Sequence, residues 1–205
     1  MTSPRAVSPI ASNRRVALVL ASESPRRLQL LAQAGIVPDA VRSAGIDESV
    51  HKNEQAKFHA LRLASAKARA VAEAWDGGEA VFLAADTVVC VGRRILPKAE
   101  TQEQVRACLT LLSGRSHRVT TAVAALAGDK VRTRTVETRV VFDRLDAAAV
   151  EAYVQCGEGL GKAGGYAVQG RAEIFVRLLT GSYSNVVGLP LRETISLLRA
   201  ANYPC

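Results

Sequence analysis

The sequence predicts an α/β protein with a mixed central sheet flanked by helices, and three observations carry that expectation. Short apolar runs recur, VALVLA (16–21) and AVFLAADTVVCVG (80–92) being the clearest, and runs of this length read as buried strands. Between them lie segments with apolar residues at helical spacing. The two kinds alternate without an internal repeat, the order expected of layered strands and helices in one domain or two closely joined lobes.

The elements follow in turn. Residues 1–15, MTSPRAVSPIASNRR, are rich in Ser and Arg, lack the apolar core of a signal peptide and read as a frayed tail. A single domain is expected over 16–205. After the strand at 16–21, Ser24-Pro25 reads as an N-cap with proline at the first helical position, and Gly35 as the stop. Residues 39–46 read as a short strand. Asn53 to Trp75 reads as a long helix with Leu61, Ala64, Ala68, Val71 and Trp75 on its apolar face and Lys67 on the flank. Residues 80–92 read as two strands separated by Asp86-Thr87. Thr101 and Gln104 form a capping box for a helix to about Leu112. Residues 117–127 and 131–142 pair around Gly128-Asp129. Asp146 caps a helix to about Cys156, a glycine-rich loop follows, and a strand (172–179) and a helix (191–201) close the chain.

Composition narrows the function classes. With 205 residues, 48% of them hydrophobic, the chain can bury a sizeable core. Its net charge is +8, but the 27 basic residues are scattered and only 4% of residues are aromatic. That argues against a nucleic-acid tail or a base-stacking platform and suits a small anionic ligand. Cys90, Cys108, Cys156 and Cys205 show no zinc spacing, so free thiols in a reducing cytosol are expected. No apolar segment approaches membrane-spanning length.

Candidate chemistry starts at Arg26 and Arg27, which stand in the first turn of a helix, where the macrodipole disfavours cations. A phosphate there would collect backbone N–H groups, the dipole and two guanidinium forks together. Lys67 and Lys98 could converge on the same polyphosphate, although spacing alone does not distinguish these from four surface cations. Asp86 is a carboxylate placed where an apolar strand ends, costly to bury unless paired or metal-bound, at a position where α/β sheets hold ligands. Asp47-Glu48 could hold Mg²⁺, though most such pairs are solvated. His51, His59 and His117 share no metal-ligand spacing, and Ser22 and Ser24 have no local histidine, so serine or cysteine nucleophile chemistry is unsupported. The loop GEGLGKAGGY fits neither G-x-G-x-x-G nor a Walker loop, because Lys162, Cys156 and Ala163 stand where those patterns need other residues.

Six segments in order resemble the Maf family of nucleotide pyrophosphatases: LASESPRR (20–27), AGIDE (44–48), ASAKA (64–68), AADTVV (84–89), KAGGYAVQG (162–170) and GSYSNVVGLPLRET (181–194). The resemblance spans about residue 16 to the C-terminus. It implies a cytoplasmic hydrolase, often dimeric, that splits nucleoside triphosphates between the α- and β-phosphates with Mg²⁺ or Mn²⁺, in an α/β fold with a deep cleft between two lobes. By the same resemblance Asp86 matches the general base. Ser22, Arg26, Arg27, Glu48, Lys67 and Lys98 match positions lining the phosphate and metal site, with Glu48 and Asp86 as metal ligands. Arg27, Thr87 and Gln169 match the trio associated with dTTP/UTP preference, which implies dTTP, UTP and modified pyrimidine nucleotides as substrates. The alternatives are a 7-methyl-GTP pyrophosphatase or a nucleic-acid-binding, division-regulating module. Two departures stand out: the order here is Pro97-Lys98-Ala99 where the family has lysine before proline, and Glu23 replaces a small residue.

Overall fold

The computed structural model describes residues 16–205. The tail expected at 1–15 lies outside them. The first strand, β1 (Ala17–Ala21), leads into helix α1 (Pro25–Gln33), then strand β2 (Ala40–Arg42) and helix α2 (Ala56–Glu73). Strand β3 (Ala80–Val91) follows, then short strands β4 (Arg94–Leu96) and β5 (Lys98–Ala99), and helix α3 (Gln102–Leu112). A long hairpin of β6 (Ser116–Ala127) and β7 (Lys130–Phe142) precedes helix α4 (Ala147–Cys156). Strand β8 (Lys162–Ala163), a 3₁₀ turn (Arg171–Phe175), strand β9 (Val176–Thr180), and helices α5 (Tyr183–Val187) and α6 (Leu191–Ala200) complete the chain.

The main sheet has seven strands in the order β2-β1-β3-β6-β7-β9, with β4 added to β3. The β2-β1-β3 pairs are parallel and the remainder antiparallel, so the sheet is mixed as expected. β5 and β8 form a separate two-stranded sheet.

Each face of the main sheet carries its own core. On one face, Ala60, Ala64, Ala68 and Val71 of α2 pack on Phe82, Ala84 and Val88 of β3 and on Ala122 and Ala124 of β6. Small residues on both sides let the helix lie close to the sheet. On the other face Val81, Leu83, Ala85 and Val89 of β3 join Leu31, Leu109, Val123, Phe142 and Leu198. The alternation along β3 follows from the two-residue period of a strand. It continues through positions 86 and 87, which therefore point to opposite faces.

Several sequence expectations need correction. Ala80–Val91 is one unbroken strand, not two strands around Asp86-Thr87. What ends there is the neighbour: β1 lies beside Ala80–Ala84 and β4 beside Val89–Val91, so positions 85–88 have a sheet partner in β6 alone. The site residues occupy this gap. The strand expected at 39–46 is three residues long. The long helix starts at Ala56, after Asn53 takes a positive φ of 62°. The segment 172–179 opens as a 3₁₀ turn and becomes strand only at Val176.

The capping expectations divide. Thr101 Oγ1 accepts from Gln104 N at 3.3 Å and Asp146 Oδ1 from Ala149 N at 2.7 Å. Gln104 Oε1 reaches back to the N–H of Glu100 at 2.7 Å rather than to that of Thr101. Ser24 occupies the N-cap position of α1 with extended backbone, but its side chain makes no capping bond.

Candidate active site

The residues around the gap divide by the face of β3 from which they project. On the α2 face, Asp86 is buried and Lys67, from the helix packed over it, places Nζ 2.7 Å from Asp86 Oδ1. The same Nζ lies 2.8 Å from Glu48 Oε1, so one ammonium bridges two carboxylates. Burial raises the pKa of Asp86 above the usual carboxylate range, while the charges of Lys67 and Arg27 oppose that rise. Burial also acts to raise the pKa of Glu48, but the hydrogen bond and charge of Lys67, with Lys98 and Arg27 beyond, hold it below the usual value. Asp47, the other half of the acidic pair, turns away and is exposed, accepting from Ser49 N and Oγ, each at 2.9 Å.

Glu48 lies on a segment without regular structure, and a cluster on α2 ties that segment down. Arg62 donates to Glu54 Oε1 and Oε2 at 2.8 Å each and to Ser49 O at 2.9 Å, while His59 Nδ1 lies 2.9 Å from Glu54 Oε2. The backbone of the residue beside Glu48 is thereby fixed to the helix that carries Lys67.

On the opposite face the groups are neutral apart from one guanidinium. Arg27 donates from Nε to Gly188 O at 2.9 Å and from Nη1 to Ser22 Oγ at 2.8 Å, and Nη2 lies 3.5 Å from Thr87 Oγ1. Ser22 Oγ also accepts from Ser24 N at 3.2 Å. Thus Ser22 is the side chain that satisfies the chain at the helix start, and Arg27 is held by protein oxygens rather than left against the dipole. Gly188 has φ +127°, and a Cβ there would stand 3.5 Å from Thr87 Oγ1 and 3.8 Å from Arg27 Nε. Glycine admits that backbone without strain and leaves the space open.

Three further cations, Arg26, Lys98 and Lys162, lie within reach of one another's charge. Arg26 reaches Val187 O through Nε at 3.4 Å. Lys98 on β5 is exposed, and β5 pairs with β8, placing Lys98 opposite Ala163 and Ala99 opposite Lys162, whose Nζ donates to Leu160 O at 2.9 Å. Burial lowers the pKa of Lys162, and the like charges of Arg26 and Lys98 lower it further. Three cations this close repel one another, and an anion between them would relieve the cost. Lys162 was not singled out from the sequence as a site residue; its signal was the lysine opening KAGGYAVQG.

The placements can be stated residue by residue. Ser22, Arg27 and Thr87 are brought together by direct contacts, as are Glu48, Lys67 and Asp86. Arg26 and Lys98 lie at the edge. Gln169 is exposed in the turn before the 3₁₀ segment, with no hydrogen bond to Arg27 or Thr87 among the described residues. Glu23 is exposed. His117 pairs with Tyr166 in the core, its Nε2 2.8 Å from the phenol oxygen. The four cysteines are free.

Among the described residues, no group of three or more His, Cys, Asp or Glu side chains could hold a metal ion. The donor set that is present, Glu48 and Asp86 converging on the Lys67 ammonium, consists of hard carboxylate oxygens already aimed at one cation. That set fits a magnesium-like ion, which is usually held by one or two carboxylates together with substrate phosphates and water.

The site is that of an α/β protein with a buried acid, held by a lysine, at its centre. The chain belongs to the Maf-like protein family, whose profile matches residues 17–201. It is 57% identical over 188 residues to a dTTP/UTP pyrophosphatase of Caulobacter vibrioides, covering 91% of this chain and 96% of that protein. Similarity to the protein of that name from Brucella abortus is 53% over 192 residues, with 91% and 92% covered. For the one from Rhodopseudomonas palustris it is 55% over 195 residues, with 93% and 94% covered. A structural alignment with the Staphylococcus aureus Ham1 protein has a TM-score of 0.46 at 16% identity, covering 89% of this chain and 96% of that one. Among the described residues no helix is long and apolar enough to cross a membrane.

Proposed function

We propose that this protein is a nucleoside triphosphate pyrophosphatase acting on dTTP and UTP, releasing the monophosphate and pyrophosphate. The observation that carries the reading is the buried Asp86, held at 2.7 Å by Lys67 in a gap of the sheet, with the charge of Lys98 reaching Glu48 and those of Arg26 and Lys98 reaching Lys162. The names of the relatives support the same substrates.

The chemistry follows from charge. A triphosphate repels an incoming hydroxide, so cations must neutralise it before attack. Arg26, Lys67, Lys98 and Lys162 supply that charge and orient the phosphates. Asp86, with its pKa raised by burial, accepts the proton of a water as its oxygen bonds to the α-phosphorus, while the bond to the β-phosphate oxygen breaks and pyrophosphate leaves. Glu48 and Asp86 would hold a divalent ion, Mg²⁺ or Mn²⁺. When bound, such an ion supplies further charge neutralisation and polarises a phosphoryl oxygen. On the other face, Arg27 and Thr87 meet the base, with Gln169 closing over it from its turn. We further propose that 16–205 acts as one domain, in the cytoplasm, as a homodimer.

The test is product analysis with a panel of dTTP, UTP, CTP, GTP and 7-methyl-GTP in the presence of Mg²⁺. Monophosphate and pyrophosphate, fastest from dTTP and UTP, are expected. Orthophosphate and the nucleoside diphosphate as products, or 7-methyl-GTP as the best substrate, would overturn the reading.

A further inference from the structure

On the selectivity face, the hydroxyl of Thr87 is one end of a hydrogen-bond chain that runs into the core. Thr87 stands directly opposite Thr121 in the β3–β6 register, and their Oγ1 atoms are 2.9 Å apart. Thr121 Oγ1 is also 2.9 Å from the backbone carbonyl oxygen of Asn185. Asn185 is fully buried, and its Nδ2 donates to Val119 O and Thr138 Oγ1, each at 2.9 Å. The carbonyl at the end of the chain therefore cannot move away.

The direction of every proton in this chain can be deduced. A carbonyl has no proton to give, so Thr121 must donate its single hydroxyl proton to Asn185 O. Otherwise two oxygen lone pairs would face each other at 2.9 Å in a fully buried place. With its proton committed, Thr121 can only accept from Thr87, so Thr87 donates inward. The outward side of the Thr87 oxygen is left with lone pairs alone. Its other neighbour agrees, since Arg27 Nη2, 3.5 Å away, has only protons to offer. A hydroxyl that ordinarily rotates to suit its partner is here set as an acceptor.

We propose that the Asn185 carbonyl, Thr121 and Thr87 form a proton-orienting relay that makes Thr87 a fixed acceptor for an N–H donor on the nucleobase. Thr121 and Asn185 are then positioning residues for specificity, touching no substrate themselves. Uracil and thymine carry a proton on N3; cytosine carries a lone pair there. A fixed acceptor accommodates the first two and opposes the third, whereas a freely rotating threonine would serve either. This inference rests on the pyrophosphatase reading and says how that site tells one pyrimidine from another.

The experiment compares pyrophosphate release from UTP and CTP by the wild-type protein, Thr121→Val and Thr121→Ser. Thr121→Val keeps the shape but removes the acceptor, freeing the Thr87 proton to turn outward, so the ratio of kcat/KM for UTP over CTP should fall by about tenfold or more. Thr121→Ser keeps the hydroxyl and should keep the wild-type ratio. N3-methyl-UTP, tested on the wild-type protein, needs no variant to fold and should be a far poorer substrate than UTP. An unchanged ratio in folded Thr121→Val, or N3-methyl-UTP turned over as well as UTP, would overturn the relay while leaving the pyrophosphatase reading intact. Failure of the wild-type protein to release pyrophosphate from either UTP or dTTP would overturn both.

Discussion

Asp86 and Thr87 are neighbours in sequence and project from opposite faces of one strand, into surroundings that differ in kind. Asp86 lies among charges: Lys67 at 2.7 Å, with Glu48 on the same ammonium. Thr87 lies among hydroxyls and carbonyls: Thr121 at 2.9 Å, backed by the Asn185 carbonyl, with the guanidinium of Arg27 held by Gly188 O and Ser22. In the proposed function the charged face takes the triphosphate common to every nucleotide, and the neutral face takes the base that differs between nucleotides. On that proposal the strand separates turnover from selection across a single peptide bond, and the following predictions strain that separation.

The largest effect is expected at Asp86. Asp86→Asn keeps the size but cannot take up the proton, so kcat should fall roughly 100-fold or more on every nucleotide alike while binding is retained. Single-turnover kinetics alongside equilibrium nucleotide binding check this, and a variant that keeps a third of the wild-type kcat would refute it.

Next come Lys67 of the charged face and Arg26 at the edge of the site. Lys67→Ala and Arg26→Ala should each cost about 1.5–3 kcal/mol in kcat/KM, independent of the base. Lys67→Ala carries an added burden, since it leaves Asp86 and Glu48 facing each other without a counter-ion. Steady-state kinetics over the nucleotide panel would show a uniform loss; wild-type values in both variants would make them ordinary cations.

A smaller and selective effect is expected at Gln169. Gln169→Glu exchanges an amide donor for a charged acceptor and should weaken use of dTTP and UTP by about tenfold, with inorganic pyrophosphate inhibition little changed. Parallel measurement of both quantities tells a base contact from a general repulsion of phosphate.

The smallest effect on turnover at neutral pH should come from a titration remote from both faces. Burial pushes the pKa of His117 down to about 4 from its ordinary 6.5. As pH falls through 6.5 the unfolded chain takes up this proton before the folded chain does. The stabilisation is thus complete above that pH and is lost progressively down to pH 4, by about 3 kcal/mol from this group alone. Chemical denaturation across that range should show the decline, and His117→Gln should flatten it.

Much of this was legible in the sequence, for physical reasons that differ by residue. The strand that leads to Ser22 and the helix that carries Arg26 and Arg27 announce themselves through an apolar run and a Ser-Pro start. Asp86 drew attention because a carboxylate interrupts an apolar stretch. It was misplaced at a strand end because local pattern could not show that the neighbouring strand stops while its own continues, or that Lys67, 19 residues earlier, neutralises it. The long helix was expected from its apolar face, but small residues on that face did not reveal that Lys67 turns inward. Thr121 gave no signal at all, and Asn185 stood only as one letter of GSYSNVVGLPLRET, with no role attached. A threonine in an alternating strand is ordinary, and only the register that sets it opposite Thr87 gives it a role. Lys98 and Lys162 come onto neighbouring strands through a two-residue pair, too short for any periodicity to betray.

The separation of turnover from selection is tested most directly by measuring kcat/KM for dTTP, UTP, CTP and GTP on the wild-type protein, Asp86→Asn and Thr87→Val together. The account predicts that Asp86→Asn lowers all four by a common factor and leaves their ranking unchanged, while Thr87→Val reduces the preference for UTP over CTP and keeps most of the turnover. A changed ranking in Asp86→Asn, or a uniform loss in Thr87→Val with the UTP preference intact, would contradict it.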